Sequence, residues 1–264
     1  MKKSISSIND ISIICHKLYP PKAATHAFSF RKFFLHCSIL FAGILFFCLT
    51  LHFLLFNPIT ASGNRLQATH PKATVVIDPG HGGRDPGKVG IQGTLEKEIN
   101  LQIALILKEL LTAQNIQVML TRTEDRDLAT EEEHFKISDM KERLQLIQNS
   151  EADVVISIHQ NSYTDPQVLG AQCFYYTDSM ESHALATILQ QQIIVSTNQK
   201  KQREIKSNGD YYLLKNSSLP TVIIECGFLS NEEEEALLNT KEYQRKMAYA
   251  IHLGILQYLN QKTK

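Results

Sequence analysis

Short apolar runs alternate with amphipathic stretches along most of this chain. Thr74 to Ile77, Ile116 to Leu120, Val154 to Ile158 and Thr221 to Ile224 have the length and composition of buried strands. After the first run, Glu96 to Ala113 carries Ile99, Ile103, Ile106, Leu107, Leu110 and Leu111 at the spacing of one helix face. Ile137, Met140, Leu144 and Ile147 repeat that spacing ahead of Val154. The resulting β, α, β, α, β order implies an α/β domain with a parallel sheet. Further on, the pattern predicts a strand over 171–176, a helix over 181–194, a short strand over Tyr211 to Leu214 and a closing helix over 243–259. Two polar stretches, Thr123 to Lys136 and Asn198 to Asp210, are long for connections and are expected to border a groove.

One apolar run is of a different kind. Phe33 to Phe56 holds 24 residues without a formal charge, enough to cross a bilayer as a helix. Six basic residues and a single acid, Asp10, precede it, so residues 1–32 are expected to be cytosolic and everything after Asn57 extracytoplasmic. Residues 33–56 would be a transmembrane signal anchor, 57–72 a polar linker, and 73–260 the catalytic domain. A cleaved signal peptide is the alternative, although its apolar region normally spans only about 7 to 15 residues.

The chain has 27 basic and 27 acidic residues, but the part beyond residue 60 keeps 21 and 26, a mildly acidic balance. No basic footprint points to nucleic acid. Of five cysteines only Cys173 and Cys226 lie beyond the apolar segment, each inside a strand-like run, where a buried free thiol is expected rather than a disulfide framework.

Four residues then change the picture. His81, Glu96, His159 and Glu225 sit where a strand-like run ends or a helix begins, and the carboxyl ends of parallel strands share one sheet edge, where ligands bind. The glycine-rich loop DPGHGGRDPGKVGIQGTLEKE can double back to bring Glu96 beside His81. Its Gly82, Gly87 and Lys88 imitate a phosphate loop, but Val89 stands where a Ser or Thr is required. Taken singly, Glu96 reads as a helix-capping acid and His159 as a core histidine. Taken together, two imidazoles and a carboxylate make a catalytic zinc set with an open position. Glu225, an acid at the end of a buried strand, would be the base that moves the water proton. Arg122 and Asn161 stay unassigned between a substrate contact and a surface ion pair. Ser230 and Glu233 read as a capping box at a helix start.

The blocks VVIDPGHGG, GTLEKEINL, ISIHQN and IIECGFLSN resemble, in order, those of the zinc-dependent N-acetylmuramoyl-L-alanine amidases over about Thr74 to Leu259. The resemblance implies a single domain with a twisted, mostly parallel sheet flanked by helices, Zn²⁺ ligands at His81, Glu96 and His159, and a catalytic Glu225. It implies hydrolysis of the muramyl to L-alanine amide of peptidoglycan. The stretches TEDRDLATEE, GAQCFYY and GDYYLLKNS resemble the germination-specific sporulation group, whose products lead to muramic δ-lactam in spore cortex. In a sporulating cell the catalytic domain would then face the cortex, with an activating protein partner left open. The alternatives are a vegetative wall autolysin, a zinc peptidase and a catalytically silent wall-binding scaffold.

Overall fold

A computed structural model of the chain describes residues 30–56 and 72–262, and the chain divides into two compact units, Met1–Gln67 and Ala68–Lys264. In the first unit, α1 spans Phe30–Phe56. Its side chains are described only at 38–50 and 52, fewer than the ~20 residues that cross a bilayer core. Among the described residues no helix is long and apolar enough to cross a membrane, so the transmembrane anchor expected at 33–56 is without support there. Most of the segment expected to be cytosolic and nearly all of the expected linker lie outside the described residues.

In the second unit, β1 (Thr74–Pro79), α2 (Glu96–Thr112), β2 (Gln117–Leu120), α3 (Phe135–Gln148) and β3 (Val154–Asn161) follow the predicted order. Then come β4 (Gln172–Tyr175), α4 (Met180–Thr197), β5 (Lys206–Ser207), α5 (Tyr212–Asn216), β6 (Thr221–Phe228), α6 (Glu232–Leu238) and α7 (Lys241–Lys262). The six strands form one sheet in the order β2-β1-β3-β6-β4-β5. All neighbours are parallel except β4 and β6. The mostly parallel reading therefore holds, with the antiparallel pair near one edge.

Strand alternation divides the core. Val75, Ile77, Val154, Ile156, Ile158, Val222 and Ile224 pack with α2, α4 and α7 in one cluster. Val76 and Val155 meet Ile147 of α3 and Leu213 of α5 in a second. Helices on both faces explain why β1 and β3 read as nearly continuous apolar runs. Cys173 and Cys226 are buried free thiols, as expected.

Local chemistry sets the helix ends. The Ser179 side chain accepts from the backbone N–H of Ser182 at the start of α4, and Asn198 closes that helix in a left-handed conformation. At α6 the cap is Asn231, whose side chain accepts from Glu234 N–H. Ser230, the expected cap, instead accepts from Tyr163 N–H and so ties two loops together.

Two expectations fail in the same region. Tyr211 to Leu214 is not a strand, because α5 begins at Tyr212 and drives Leu213 and Leu214 into separate core clusters. Four apolar residues do not distinguish a period of 2 from one of 3.6. Within the polar stretch 198–210, Lys206–Ser207 pairs with β4 as a short exposed edge strand.

Candidate metal centre and catalytic site

Sheet register assembles the site. His159 near the end of β3 is the lateral partner of Glu225 in β6, so both side chains emerge on the same face of the sheet. The register shifts between His159 and Asn161, which breaks the ladder beside the cavity. His81 follows β1, the other neighbour of β3, in a left-handed conformation with φ 60°. Glu96 is the first residue of α2, and the glycine-rich loop carries the chain back to it, as expected.

Close approach requires two of the glycines. A Cβ at Gly80 would collide with the His159 ring, and one at Gly87, where φ is +70°, would strike both Glu96 and His81.

The three side chains converge. One ligand atom from each of His81, Glu96 and His159 lies within 4.8 Å of the others, a group of the size that holds a metal ion. The two rings meet edge to face with centroids 5.0 Å apart. Glu96 Oε1 is 2.9 Å from His159 Nδ1 and 3.2 Å from His81 Nε2. Backbone N–H groups of Gln160 (3.0 Å) and Lys88 (2.8 Å) fix the two oxygens of the same carboxylate. Burial opposes the Glu96 charge, yet the two imidazoles outweigh it and hold the carboxyl well below its usual range. Burial also opposes a charged His81, but Asp85 and Glu96 together raise it to about 9.

Asp85 is a site residue that the sequence did not single out. Its Oδ2 lies 2.7 Å from His81 Nδ1, and its other oxygen meets Lys136 Nζ at 2.8 Å. A carboxylate on the far nitrogen fixes the tautomer and leaves Nε2 facing Glu96. The DPGHGGRD spacing places Asp85 four residues past His81, the only signal that could have found it.

Glu225 is in a different condition. It is 8% exposed, and its Oε2 has no hydrogen-bond partner. Burial pushes its carboxyl up to about 7, with attraction from His159 working against that and repulsion from Glu96 adding to it. A buried carboxylate left this way is costly unless a cation stands near it.

These groups open into a cavity of roughly 570 Å³ that also takes in Lys88, Lys136, Asn161, Tyr211 and Tyr212. Lys136 ends the first polar stretch and Tyr211 directly follows the second, so both long connections lead to its rim. Asn161 lines it, with its side-chain oxygen engaged by Ser162 N–H. Arg122 is neither a substrate contact nor a surface ion pair. It is 1% exposed and donates to backbone carbonyls beneath the site.

A family model described as N-acetylmuramoyl-L-alanine amidase matches residues 75–257. The chain is 38% identical over 192 residues to the germination-specific N-acetylmuramoyl-L-alanine amidase of Bacillus subtilis, covering 71% of this chain and 80% of that protein. Among solved structures it is similar to the CwlD amidase from Clostridioides difficile in complex with the GerS lipoprotein. There the identity is 40%, the TM-score 0.70, and the coverage 72% of this chain and 99% of that one. An N-acetylmuramoyl-L-alanine amidase from Clostridium difficile 630 matches at 36% identity and TM-score 0.66, covering 72% and 98%.

Proposed function

The chain belongs to the N-acetylmuramoyl-L-alanine amidase family and is a peptidoglycan amidase, and we propose that Zn²⁺ held by His81, Glu96 and His159, with Glu225 as base, runs its reaction. The observation that carries this reading is the unpartnered Glu225 Oε2 in the cavity that the three converging side chains line. The donor set fits the metal, since two imidazoles and one carboxylate are a catalytic zinc set that keeps a position open. Similar ligands accept other divalent ions, so the choice of zinc rests on that nitrogen-rich set.

When bound, the cation supplies Lewis acidity toward the scissile carbonyl and lowers the pKa of water. The residues do the rest. His81 offers Nε2 because Asp85 occupies Nδ1. Glu96 is anchored at both oxygens, so it stays in place when His81 gives up its proton. Glu225 takes the proton of the attacking water and returns it to the departing alanine nitrogen, as a base with its pKa near the working pH does best.

The biological setting is inferred from the likeness to the germination-specific amidase, and muramic δ-lactam formation in spore cortex is the role it supports. A lipoprotein partner is supported by the relative solved with one. An extracytoplasmic, membrane-anchored placement is supported by the uncharged run at 33–56 and the basic residues before it.

Purified unit Ala68–Lys264, incubated with peptidoglycan and Zn²⁺, is expected to release stem peptides with new alanine N-termini, read by mass spectrometry. Cuts between amino acids of the stem would assign a peptidase instead. No release, or equal release by Glu225→Ala, would refute the mechanism.

A further inference from the structure

His81 poses a structural problem that its neighbours must solve. At φ 60° it occupies the left-handed region, where a side chain is disfavoured, yet a glycine there would have no imidazole to offer. Such a conformation persists only where the surroundings impose it.

Two guanidinium groups donate to the backbone around it. From the last residue of β1 onward, three consecutive carbonyls are all occupied. Pro79 O accepts from Arg122 Nε and from Arg143 Nη1, both at 2.9 Å. Gly80 O accepts from Arg122 Nη2 at 3.0 Å and Asn100 Nδ2 at 3.1 Å. His81 O accepts from Arg143 Nη2 at 2.6 Å. The Arg122 head also reaches Lys97 O at 2.8 Å, joining the His81 turn to the first turn of the helix that Glu96 opens.

Both arginines are 1% exposed, and burying two cations side by side is expensive. Burial, followed by repulsion from Arg143, pushes Arg122 down to about 10. Among the described residues the direct ion pairs go to Arg143, with Asp78 and Asp139 each at 2.7 Å, while Asp78, Asp125 and Asp139 act on Arg122 without pairing with it. An apolar core would stabilise the sheet at lower cost, so the arrangement calls for a use beyond packing.

Resting on the reading of His81 as a metal ligand, we propose that Arg143 is a positioning residue for the metal centre, holding the His81 backbone in its left-handed conformation through the Pro79 and His81 carbonyls. The placement of α3 agrees with this. That helix contributes no ligand, yet it grips His81 twice, by the backbone through Arg143 and by the ring through Lys136 and Asp85. Lysine at 143 has one head instead of a fork, so it reaches one carbonyl and loses the other.

The test measures Zn²⁺ affinity by competition with a chromophoric chelator, and the visible absorption of Co²⁺ bound in its place, on the full chain in detergent. Arg143→Met is expected to weaken Zn²⁺ at least tenfold and to alter the Co²⁺ spectrum, with Arg143→Lys recovering part of both. Leu107→Ala, a cavity in the core away from the site, serves as the control for lost stability. It is expected to lower the melting temperature and leave both metal readouts at wild type. Wild-type affinity and spectrum in Arg143→Met would overturn the proposal, as would an equal loss in Leu107→Ala. Should Arg143→Met not fold, Asp139→Asn takes its place, since it frees the Nε end of the same guanidinium, and unchanged affinity there overturns the proposal equally. If the wild-type chain binds neither Zn²⁺ nor Co²⁺, the metal reading itself fails, a result distinct from any difference between variants.

Discussion

The cavity wall at the start of α2 and the wall built by β6 treat a buried carboxylate in opposite ways. Glu96 is surrounded by donors: two imidazoles, two backbone N–H groups and the Asn100 amide at 3.3 Å. Glu225, about as deeply placed, keeps one oxygen without any partner. Burial works against the charge of both, and only at Glu96 do neighbours overcome it. The difference separates a holding group from a reacting one. A ligand must keep its charge and its place, whereas a base must be able to gain and lose a proton at ordinary pH.

The comparison is sharpest at Glu225 itself. Glu225→Gln should lower the rate of alanine N-terminus release by about 10² to 10⁴, the usual contribution of a general base. Its thermal midpoint should equal or exceed the wild type, because an unpartnered buried carboxylate contributes no stability. A rate near wild type would remove the distinction between the two walls.

A smaller effect is expected where the holding wall is braced. Asp85→Asn keeps the shape but loses the charge behind His81, and chelator competition should show a fall in metal affinity of about 10- to 100-fold. Unchanged affinity would mean that the ring is oriented by packing alone.

The smallest effect isolates saturation from catalysis. Asp78 is buried like Glu225 but satisfied like Glu96, accepting from Thr121 Oγ1 (2.6 Å), Ser157 Oγ (2.7 Å) and Arg143 (2.7 Å). Burial opposes its charge, yet Arg143 and the two hydroxyls lower it to about 2. Its folded pKa lies below the unfolded value, so the stability it lends is present above about pH 4 and is lost as pH falls through about 2. Denaturant titrations across that window should lose on the order of 2 kcal/mol that Asp78→Asn does not lose. Parallel pH profiles for the two proteins would show that its bonds add nothing net.

Much of the molecule was readable in advance because its signals are local. The strands of the parallel core read as apolar runs, and α2 read from its apolar spacing to within one residue of its observed end. The misreadings came where locality runs out. Tyr211 to Leu214 is too short for its period to be distinguished, and α5 is set by two core clusters that Leu213 and Leu214 enter separately. The acids after Asn231 stand in the first turn of α6, where negative charge suits the helix dipole. In the fold, Glu235 accepts from Gln92 and Thr94 N–H and Glu234 from Gly170 N–H, bracing loops far away in sequence, and Glu234 also accepts from Phe228 N–H at the end of β6.

The sequence alone determined the residue types of the centre and their positions at strand and helix ends, because hydrophobic periodicity fixes where elements stop. It could not determine which atoms meet. That Glu225 stands beside His159 follows from the β3–β6 register, and that Lys136 reaches Asp85 and Arg143 reaches the His81 carbonyl follows from how α3 packs. Those contacts join residues up to 66 positions apart, as in the His159–Glu225 pair, and only chain closure around a shared core brings such groups within hydrogen-bonding reach.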